Sequence, residues 1–475
     1  MRLGTLIEDL AGDAAKAAVT GFALDHRKVA AGCIFGAFEG ARVNGEDFIP
    51  NAVKTGAVAV VARPEAKVEG AVHVASNEPR KTFAKLAARF FGPFPATTVA
   101  ITGTNGKTST AELTRQLWQL AGHPAASIGT LGVTTRQGQV STGLTTPDIV
   151  TFLSNMAGLE REGVSHAAFE ASSHGLSQYR TEGLPVSAAA FTNLSRDHLD
   201  YHKTMDAYFE AKLRLFTDVV DADGSVVVWA DDERSAAVAE AAAARGVTVL
   251  TVGRAGETLK LVEQVPTHLG QTLTVEGFGE TFTIKLPLIG AYQAANALVS
   301  AGLVIATGGD PAETLGHLAR VVPVRGRLER VALSKAGTPI YVDYAHTPDA
   351  IGAACDALRP HTKGELHIVF GAGGDRDRGK REPMGRIAAE KADRLYVTDD
   401  NPRSEDPGEV RREILNGVSE AAEIGDRREA IAAAVGNAGP DDVVLIAGKG
   451  HEQGQIVGDR TLPFDDVAVA REVAS

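Results

Sequence analysis

Short apolar runs alternate with amphipathic segments along most of the chain, and this alternation predicts the fold class. Residues 58–62, 167–169, 188–191 and 225–229 are apolar runs of strand length, whereas residues 81–91 carry apolar side chains at helical spacing. Strands that alternate with helices usually form a mostly parallel sheet with helices on both faces. We therefore predict an α/β protein built on mostly parallel sheets.

Two breaks divide this pattern into three parts. Gly92-Pro93-Phe94-Pro95 interrupts it first, and a second boundary falls near Pro323-Val324-Arg325-Gly326-Arg327. Beyond the second break a new set of apolar runs begins, at residues 340–342, 367–370, 394–397 and 443–446. A length of 475 residues also suggests about three domains. We expect an N-terminal domain over residues 1–92, a central domain over 93–325 and a C-terminal domain over 326–475.

The central part contains one stretch with a different pattern. Between residues 247 and 288 polar and apolar positions alternate, and short threonine-rich runs such as 272–275 stand out. Alternation of this kind favours an antiparallel insertion or flank. The alanine-rich runs at 236–244 and 291–307 predict ordinary helices.

Composition and charge narrow the class of protein. The 44% hydrophobic and 23% charged residues are typical of a globular protein in water, and a net charge of −12 argues against general nucleic-acid binding. Cys33 and Cys355 lack a metal-ligand spacing, so we expect two buried free thiols in a reducing compartment. Glu8 and Asp9 stand where a signal peptide has its apolar core. No apolar stretch reaches the roughly 18 residues of a membrane span, so we expect a cytoplasmic protein without membrane insertion.

The strongest chemical signal is a glycine-bearing turn between a strand and a helix. Residues 97–102 form a β-branched apolar run, and a helix-like segment covers residues 110–120. Strand, tight loop and helix in that order direct backbone N–H groups and a helix N-terminus at one point, where an anion binds. The generic phosphate-loop spacing is absent, because Ile101 stands where a glycine would be. A plain strand-to-helix turn is the alternative; we predict an ATP phosphate site formed by Gly103, Thr104, Asn105, Gly106, Lys107, Thr108 and Ser109.

Two further polar segments follow predicted strands near this loop. Glu170 begins the segment Glu170-Ala171-Ser172-Ser173-His174, and a carboxylate at the end of a strand near a phosphate loop is the expected place for a Mg²⁺ ligand. Residues 192–202 bring several metal-competent groups after the next strand, among them His198. A lone histidine is more often a surface or capping residue, but the neighbouring loops favour a ligand. We predict Thr108, Glu170 and His198 as the Mg²⁺ ligands.

Five segments together resemble one enzyme family. Residues 103–109, 170–176, 193–202, 341–349 and 371–380 look like those of the Mur ligases, which build the peptidoglycan stem peptide. The resemblance covers nearly the whole chain and is greatest to the branch that adds diaminopimelate. It implies a small N-terminal α/β domain for the UDP end of the substrate, a central P-loop-type ATPase domain and a C-terminal Rossmann-like domain for the incoming amino acid. We expect the enzyme to act as a monomer.

The resemblance also implies a reaction. The substrates would be UDP-MurNAc-L-Ala-D-Glu, meso-diaminopimelate and ATP, with Mg²⁺ as cofactor. A substrate carboxylate attacks the γ-phosphate of ATP to give an acyl phosphate, the amine of the amino acid attacks the acyl carbon, and phosphate leaves. This chemistry needs charge neutralisation and positioning more than a protein nucleophile.

Residue roles follow from positions that match the family. The catalytic set is Lys107, Glu170, His198 and Lys212, and Lys212 matches the lysine that Mur ligases carbamylate to N6-carboxylysine. Asn296 matches a residue beside the adenine, and Arg327 and Asp343 match residues that reach ATP when the C-terminal domain closes. The set for the UDP-muramoyl dipeptide is Leu24, His26, Thr145, Thr146, Ser172, Gln178 and Arg180. His26 is a departure, because the family usually has serine there, and it leaves the detail of uracil recognition open.

The choice of amino acid rests on the segment after the predicted strand at 394–397. Read from the residues alone, it is a turn followed by an exposed charge. Within the family, Asp400-Asn401-Pro402-Arg403 matches the enzymes that add meso-diaminopimelate, whose extra carboxylate a guanidinium can hold through two parallel hydrogen bonds. Arg376, Gly448 and Glu452 would complete the pocket, with Glu452 pairing with the distal ammonium.

Two other functions compete with this interpretation. Folylpolyglutamate synthetase resembles the Mur ligases in its ATPase and C-terminal domains, but it does not account for residues 1–92 or for Asp400-Asn401-Pro402-Arg403. A nucleotide-dependent switch of the GTPase kind usually carries an Asn-Lys-x-Asp motif, which this sequence does not contain.

Overall fold

The computed structural model describes residues 1–8, 10–40, 43–141, 143–267 and 270–475, and over these residues three large sheets and one hairpin follow one another. The first sheet has four parallel strands in the order β1-β2-β3-β4. Its elements are α1 Leu3–Leu6, α2 Gly12–Ala15, β1 Gly21–Ala23, β2 Cys33–Gly36, α3 Ile49–Thr55, β3 Ala59–Ala62, β4 Val72–Ala75 and α4 Pro79–Phe91.

The second sheet is the largest and has eleven strands, in the order β15-β14-β13-β12-β11-β10-β5-β9-β6-β7-β8. Its strands are β5 Thr97–Thr102, β6 Ala125–Gly129, β7 Gly132–Thr134, β8 Gln139–Val140, β9 His166–Glu170, β10 Ala188–Phe191, β11 Ser225–Trp229, β12 Thr248–Gly253, β13 Leu259–Thr267, β14 Gly270–Gly277 and β15 Glu280–Leu286. Its helices are α5 Lys107–Leu120, α6 Ile149–Arg161, α7 Ser173–Ser177, α8 Leu199–His202, α9 Met205–Arg214, α10 Ser235–Ala243, α11 Ala291–Ala306 and α12 Pro311–His317.

Separate apolar clusters cover the two faces of this sheet, as expected for a parallel sheet between helices. Small side chains on α11 bring that helix close to its neighbours. Ser300 Oγ donates to the Thr110 carbonyl of α5 at 3.0 Å, and a Cβ on Gly302 would lie 2.8 Å from Val227 Cγ1. The alanine-rich sequence therefore serves close packing beside the phosphate loop.

The stretch from residue 247 to 288 is only partly the predicted antiparallel flank. β13, β14 and β15 pair antiparallel with one another, but β12 pairs parallel with β11 on one side and with β13 on the other. Alternation of polar and apolar positions indicates that one face of a strand is exposed. It does not indicate whether the strand runs parallel or antiparallel to its neighbours. The prediction was therefore wrong for β12.

The third sheet has six strands in the order β16-β17-β21-β18-β19-β20, and β16 alone among its described strands runs antiparallel to its neighbour. A two-stranded hairpin of β22 and β23 lies beside it. The elements are β16 Glu329–Leu333, β17 Pro339–Asp343, α13 Pro348–Leu358, β18 Leu366–Phe370, α14 Arg381–Lys391, β19 Arg394–Val397, α15 Pro407–Leu415, β20 Ala422–Glu423, α16 Arg427–Asn437, β21 Val443–Ala447, β22 Gly454–Val457, β23 Arg460–Pro463 and α17 Asp466–Ala474.

The breaks between the sheets fall close to the predicted boundaries. The chain passes from α4 to β5 between Phe91 and Thr97, and from the second sheet to the third before Glu329. The assignment of each sheet to a domain of its own stays a prediction. Cys33 and Cys355 are buried free thiols, as expected. Among the described helices, none has the length and apolar character needed to cross a bilayer.

Candidate active site

Three loops meet because three parallel strands end side by side. β5 lies between β10 and β9, and the register pairs Ile101 with Glu170 and Thr102 with Phe191. The loops that follow these strands therefore converge at one edge of the sheet. There the connection from β5 runs to β6 on one side, and the connection from β10 runs to β11 on the other. Such a switch point is where open α/β sheets bind ligands.

The phosphate loop needs glycine at two positions. Gly106 has a φ of +87° and directly precedes α5, and a Cβ there would collide with Asn296 Oδ1. Gly103 has a φ of +146°, and a Cβ there would collide with Thr192 Oγ1. Thr192 Oγ1 also donates to the Asn105 carbonyl at 2.6 Å, which ties the loop to the end of β10. Asn296, predicted beside the adenine, thus lies directly against the loop.

Two lysines donate to the same backbone carbonyl of this loop. Lys107 Nζ donates to Gly103 O at 2.9 Å and to Thr104 O at 2.7 Å, and Lys212 Nζ donates to Gly103 O at 2.7 Å. Lys212 is 1% exposed, and its Nζ lies 4.4 Å from the centre of the Tyr208 ring. Burial lowers the pKa of Lys107, and burial together with the charge of Lys107 lowers the pKa of Lys212 well below its ordinary value. Lys212 therefore loses its proton more readily than an ordinary lysine.

Glu170 is a buried carboxylate beside the phosphate loop, as predicted. Its Oε1 accepts from Thr108 Oγ1 at 2.9 Å and from Thr130 N at 2.7 Å, and its Oε2 accepts from Thr130 Oγ1 at 3.1 Å. The Cβ of any residue other than glycine at 129 would collide with this carboxylate. A carboxylate next to a threonine hydroxyl at the mouth of a phosphate loop is a donor set of hard oxygens, which fits Mg²⁺.

Histidine side chains also lie in this site. His198 sits at a φ of +54°, and its ring lies edge-on to His174, with 5.0 Å between centroids. Asp197 Oδ2 lies 3.7 Å from His198 Nε2 and 3.9 Å from Nε2 of His346, which comes from the C-terminal part. Burial lowers the pKa of both His198 and His346 to about 4. At neutral pH each ring therefore offers a nitrogen lone pair.

These groups line a cavity of about 650 Å³ between the second and third sheets, a volume within the usual range for small-molecule sites. Arg327 closes one side, since its Nη2 donates to Thr108 Oγ1 at 2.9 Å and its guanidinium lies 4.5 Å from the Tyr344 ring centre. The predicted residues that line the cavity are Thr104, Asn105, Gly106, Lys107, Thr108, Ser109, Thr145, Glu170, Ser172, His198, Lys212, Asn296, Arg327 and Asp343.

The residues predicted to hold the UDP-muramoyl dipeptide fall into two groups. Four of them form one hydrogen-bonded chain: Arg180 donates to Thr146 O at 2.8 Å and to Gln178 Oε1 at 2.8 Å, and Thr146 Oγ1 accepts from Ser172 N at 3.0 Å. Thr145 contacts Thr130 through their hydroxyls at 3.0 Å. Leu24 and His26 lie in the first sheet region, where His26 stacks on Phe48 with 4.3 Å between centroids and 2° between planes.

The residues predicted for diaminopimelate cluster at the carboxyl ends of β18, β19 and β21. Arg403 has a φ of +51°, and its Nη1 donates to Gly374 O at 2.8 Å. A Cβ on Gly373 would lie 2.8 Å from this Nη1 and 3.7 Å from Cγ of the exposed Arg376. Both arginine side chains therefore approach Gly373, and burial together with the positive charge of Arg376 lowers the pKa of Arg403. Guanidinium groups suit a carboxylate.

A buried lysine, Lys449, completes the polar part of this cluster. Its Nζ donates to Glu452 Oε2 at 3.1 Å and to Asn401 Oδ1 at 3.1 Å, and it lies 3.8 Å from Asp400 Oδ1. Asn401 Nδ2 donates to the same Glu452 oxygen at 2.9 Å. Gly448, with a φ of +113°, brings the chain against Asp400, where a Cβ would lie 2.6 Å from Oδ2. Glu452 is predicted to face the ammonium of the ligand. One of its oxygens already accepts a hydrogen bond from the Lys449 side chain.

The sequence did not single out Thr130, Asp197, His346 and Lys449 as site residues. Asp197 and His346 lie in segments that carry the resemblance, and Lys449 lies in the run Gly448-Lys449-Gly450-His451-Glu452, but no chemical role could be assigned to them. Thr130 follows a short strand that ends beside β9, and this placement is the available signal for it.

A phosphate loop at a switch point of a mostly parallel sheet, facing a cavity shared with a second sheet, is typical of nucleotide-binding α/β proteins. Family models match most of this chain. The Mur ligase middle domain matches residues 101–304, the Mur ligase glutamate ligase domain matches 326–450, and the Mur ligase family catalytic domain matches 18–89. The chain belongs to the Mur ligase family, which confirms the resemblance and the fold class.

Relatives extend the similarity over nearly the full length of the chain. A UDP-N-acetylmuramoyl-L-alanyl-D-glutamate--2,6-diaminopimelate ligase from Zymomonas mobilis subsp. mobilis is 58% identical over 458 residues, which cover 96% of this chain and 94% of that protein. The ligase of the same name from Caulobacter vibrioides is 51% identical over 95% of this chain and 94% of its own.

Two solved structures have a similar fold. A structure titled as a UDP-N-acetylmuramoyl-L-alanyl-D-glutamate--2,6-diaminopimelate ligase superposes with a TM-score of 0.73 at 31% identity, covering 100% of this chain and 98% of that one. Folylpolyglutamate synthase from Mycobacterium tuberculosis reaches a TM-score of 0.63 at 20% identity over 78% of this chain and 91% of its own. The second likeness concerns the fold alone.

Proposed function

We propose that this protein is an ATP-dependent ligase that joins meso-diaminopimelate to UDP-N-acetylmuramoyl-L-alanyl-D-glutamate during synthesis of the peptidoglycan precursor. The observation that carries the proposal is the hydrogen bond between Arg327 of the C-terminal part and Thr108 of the phosphate loop. Ligation requires the nucleotide and the incoming amino acid to meet at one point, and this contact joins the two parts that would hold them. The curated relatives that cover nearly the whole chain carry this activity in their names.

The reaction proceeds in two steps within the shared cavity. An oxygen of the D-glutamate side-chain carboxylate attacks the γ-phosphorus of ATP, the bond to the bridging oxygen breaks, and ADP leaves with that electron pair. The amine nitrogen of diaminopimelate then attacks the acyl carbon, phosphate leaves, and the nitrogen loses a proton as the amide forms. Lys107 stabilises negative charge that develops on the phosphoryl oxygens, because its ammonium is fixed at the loop by two carbonyls.

The donor set at the mouth of the loop fits Mg²⁺. Thr108 would hold one Mg²⁺, and Glu170 and His198 would hold a second Mg²⁺ near the γ-phosphate. The bound cations would supply positive charge against the phosphate oxygens. Lys212 is proposed to be carbamylated: its neutral nitrogen attacks the carbon of CO₂, loses a proton to solvent and becomes an anionic carboxylate. The carbamate would offer an oxygen donor to a cation in place of an amine, so that no second positive charge would stand beside Lys107.

Each of the three parts of the chain is proposed to bind a different substrate. Residues 1–92 would bind the UDP end, 93–325 ATP, and 326–475 the amino acid. Arg180, Gln178, Thr146 and Ser172 form a connected polar surface next to Glu170, which suits the peptide carboxylates of the muramoyl dipeptide. We place the enzyme in the cytoplasm and expect it to act as a monomer, which size-exclusion chromatography with light scattering would test.

Phosphate release with defined substrates tests the function. Purified protein with ATP and Mg²⁺ receives UDP-MurNAc-L-Ala-D-Glu together with meso-diaminopimelate, L-lysine or L-glutamate. We expect release to require both the UDP-linked dipeptide and meso-diaminopimelate, and omission of either to serve as the control. Release with a folate and L-glutamate would favour the folylpolyglutamate alternative, and release with ATP alone would favour a nucleotide switch.

A further inference from the structure

A second cluster of titratable side chains lies at the amino-terminal edge of the third sheet, opposite the loops proposed to bind diaminopimelate. Glu365 directly precedes β18, Asp442 directly precedes β21, and His367 is the second residue of β18. β18 and β21 are parallel neighbours that pair Leu366 with Val443, so the residues before them begin side by side. His367 Nε2 lies 3.7 Å from Glu365 Oε2 and 3.6 Å from Asp442 Oδ2.

His367 is the unusual member of this cluster. Its side chain is 1% exposed, and within the described residues neither ring nitrogen has a hydrogen-bond partner. Buried polar groups in folded proteins are almost always paired. The ring lies nearly parallel to that of Tyr396, at 6.0 Å and 16°, which orients the ring plane.

We propose that Glu365, His367 and Asp442 bind one Zn²⁺ ion, with water as the remaining ligand. One imidazole and two carboxylates are a ligand set that zinc accepts, whereas Mg²⁺ and Ca²⁺ prefer oxygen alone. Tetrahedral zinc with bonds of about 2.0–2.1 Å places its ligands about 3.3 Å apart. The two observed separations, 3.6 and 3.7 Å, therefore need to shorten by only a few tenths of an ångström.

The groups around the three ligands support this assignment. Asp442 is held by two backbone donors, Glu365 N on Oδ1 and Gly439 N on Oδ2, both at 2.7 Å. Arg394 donates to both oxygens of Glu365, at 2.9 and 3.1 Å, which orients that carboxylate and offsets one of the two negative charges. Outer partners of this kind commonly fix metal ligands. The ion would join the starts of two central strands, away from the catalytic cavity, and so act on stability.

Metal titration of the full-length chain tests the proposal. Protein freed of its affinity tag and stripped with a chelator is titrated with Co²⁺ in excess Mg²⁺ while visible absorption is recorded, and Zn²⁺ is then added in competition. We expect wild type to bind one Co²⁺ equivalent more than His367→Gln, and Zn²⁺ to displace that equivalent. Zn²⁺ should raise the Tm of stripped wild type and leave the Tm of the variant unchanged.

A matched control separates this site from other histidines. His317 of α12 pairs with one helix carboxylate, Glu313, at 3.8 Å, and His317→Gln should keep the full Co²⁺ stoichiometry. If His367→Gln does not fold, Glu365→Gln replaces it, because the Glu365 side chain is 45% exposed. Equal stoichiometry and an equal Zn²⁺-dependent Tm in wild type and the folded variant would overturn the proposal. The outcome is independent of ligase activity.

Discussion

Lys107 and Lys212 direct two amine side chains at one backbone carbonyl, that of Gly103. Two ammonium groups at such close range repel each other, and burial removes the water that would screen them. Burial and the charge of Lys107 lower the pKa of Lys212 well below its ordinary value, so Lys212 loses its proton more readily than an ordinary lysine. The two lysines thus have different chemistry despite sharing a hydrogen-bond acceptor.

Replacing Lys212 tests whether its neutral amine is carbamylated. We expect Lys212→Ala to lose most ligase activity and bicarbonate not to restore it, because the variant has no amine to react with CO₂. Wild type incubated with ¹³C-bicarbonate should give a carbamate carbon signal by NMR that Lys212→Ala lacks. Lys85→Ala, an exposed lysine of α4, is the control and should keep both the signal and the activity. Near-normal turnover in Lys212→Ala would refute the idea.

Replacing Lys107 tests the electrostatic role of the loop. Loss of one preorganised charge at a transferring phosphoryl group typically costs about 2.7–4 kcal/mol in the barrier, or roughly 10²–10³ in kcat. We expect the kcat of Lys107→Ala to fall by that factor. Its Tm should stay close to that of wild type, because water can bond to the two carbonyls that Lys107 no longer contacts. A folded variant with a rate within a few-fold of wild type would contradict the assignment.

At the scale of elements, the strongest predictions are those that rest on local signals. The order of β5, loop and α5 is visible because β-branched residues, two glycines and a lysine follow one another within about a dozen positions. The burial of Lys212 has no local signal, since it depends on α9 packing against the phosphate loop more than 100 positions earlier. From the sequence alone, Lys212 looks like any solvated helix lysine, and only the resemblance singled it out.

The segment after β19 illustrates a second limit of sequence interpretation. The turn at Asn401-Pro402 was visible, but its support by the β22–β23 hairpin was not. Arg403 N donates to Ile456 O at 3.0 Å, and Gly458 N donates to Arg403 O at 2.7 Å. These main-chain bonds hold the backbone at Arg403, so replacement of its side chain should leave the loop in place. The loop therefore allows a clean test of amino-acid choice.

We expect Arg403→Ala to lose most of its kcat/KM for meso-diaminopimelate. Hydrogen bonds to a charged group are worth about 1.5–3 kcal/mol each, so loss of a two-bond fork should cost about 3–6 kcal/mol, or roughly 10²- to 10⁴-fold. Arg403→Lys keeps the positive charge but not the two parallel hydrogen-bond donors, so its kcat/KM should lie between those of wild type and Arg403→Ala. The measurement is phosphate release against amino-acid concentration. Equal rates with L-lysine and meso-diaminopimelate in wild type would refute this selectivity.

At the scale of the whole molecule, the third sheet touches the loops of the second across the cavity. Arg327 bonds to Thr108, His346 lies beside Asp197, and Arg196 lies 3.8 Å from Asp377. The partners in these pairs are about 150 to 220 positions apart, so periodicity and motif spacing carry no information about them. The sequence predicted three parts and the residues of each site, but not which side chains from different parts meet.

The burial of His346 makes stability depend on pH. Burial, with a contribution from Lys380, lowers the pKa of folded His346 from 6.5 to about 4, although Asp197 raises it in part. Between these two values the unfolded chain binds more protons than the folded one, so stability is present above pH 6.5 and is lost as the pH falls toward 4. The His346 side chain is 33% exposed, and water therefore screens part of the effect. Since a full unit is worth about 1.4 kcal/mol, we expect this residue to remove less than about 2 kcal/mol between pH 7 and pH 5.

Urea denaturation at pH 7, 6 and 5 measures this loss, with fluorescence as the probe. His346→Asn is the matched variant, because its amide nitrogen can take the place of Nδ1, which donates to Tyr344 O at 2.8 Å, yet it does not titrate. We expect the urea midpoint of wild type to fall as the pH is lowered and that of His346→Asn to fall less steeply. Other histidines with lowered pKa values, such as His198 and His451, remain in both proteins. The difference between the two slopes therefore reports His346 together with its electrostatic effect on Asp197 and His198. Identical slopes would show that acid acts elsewhere and that His346 is not buried uncharged between the two sheets.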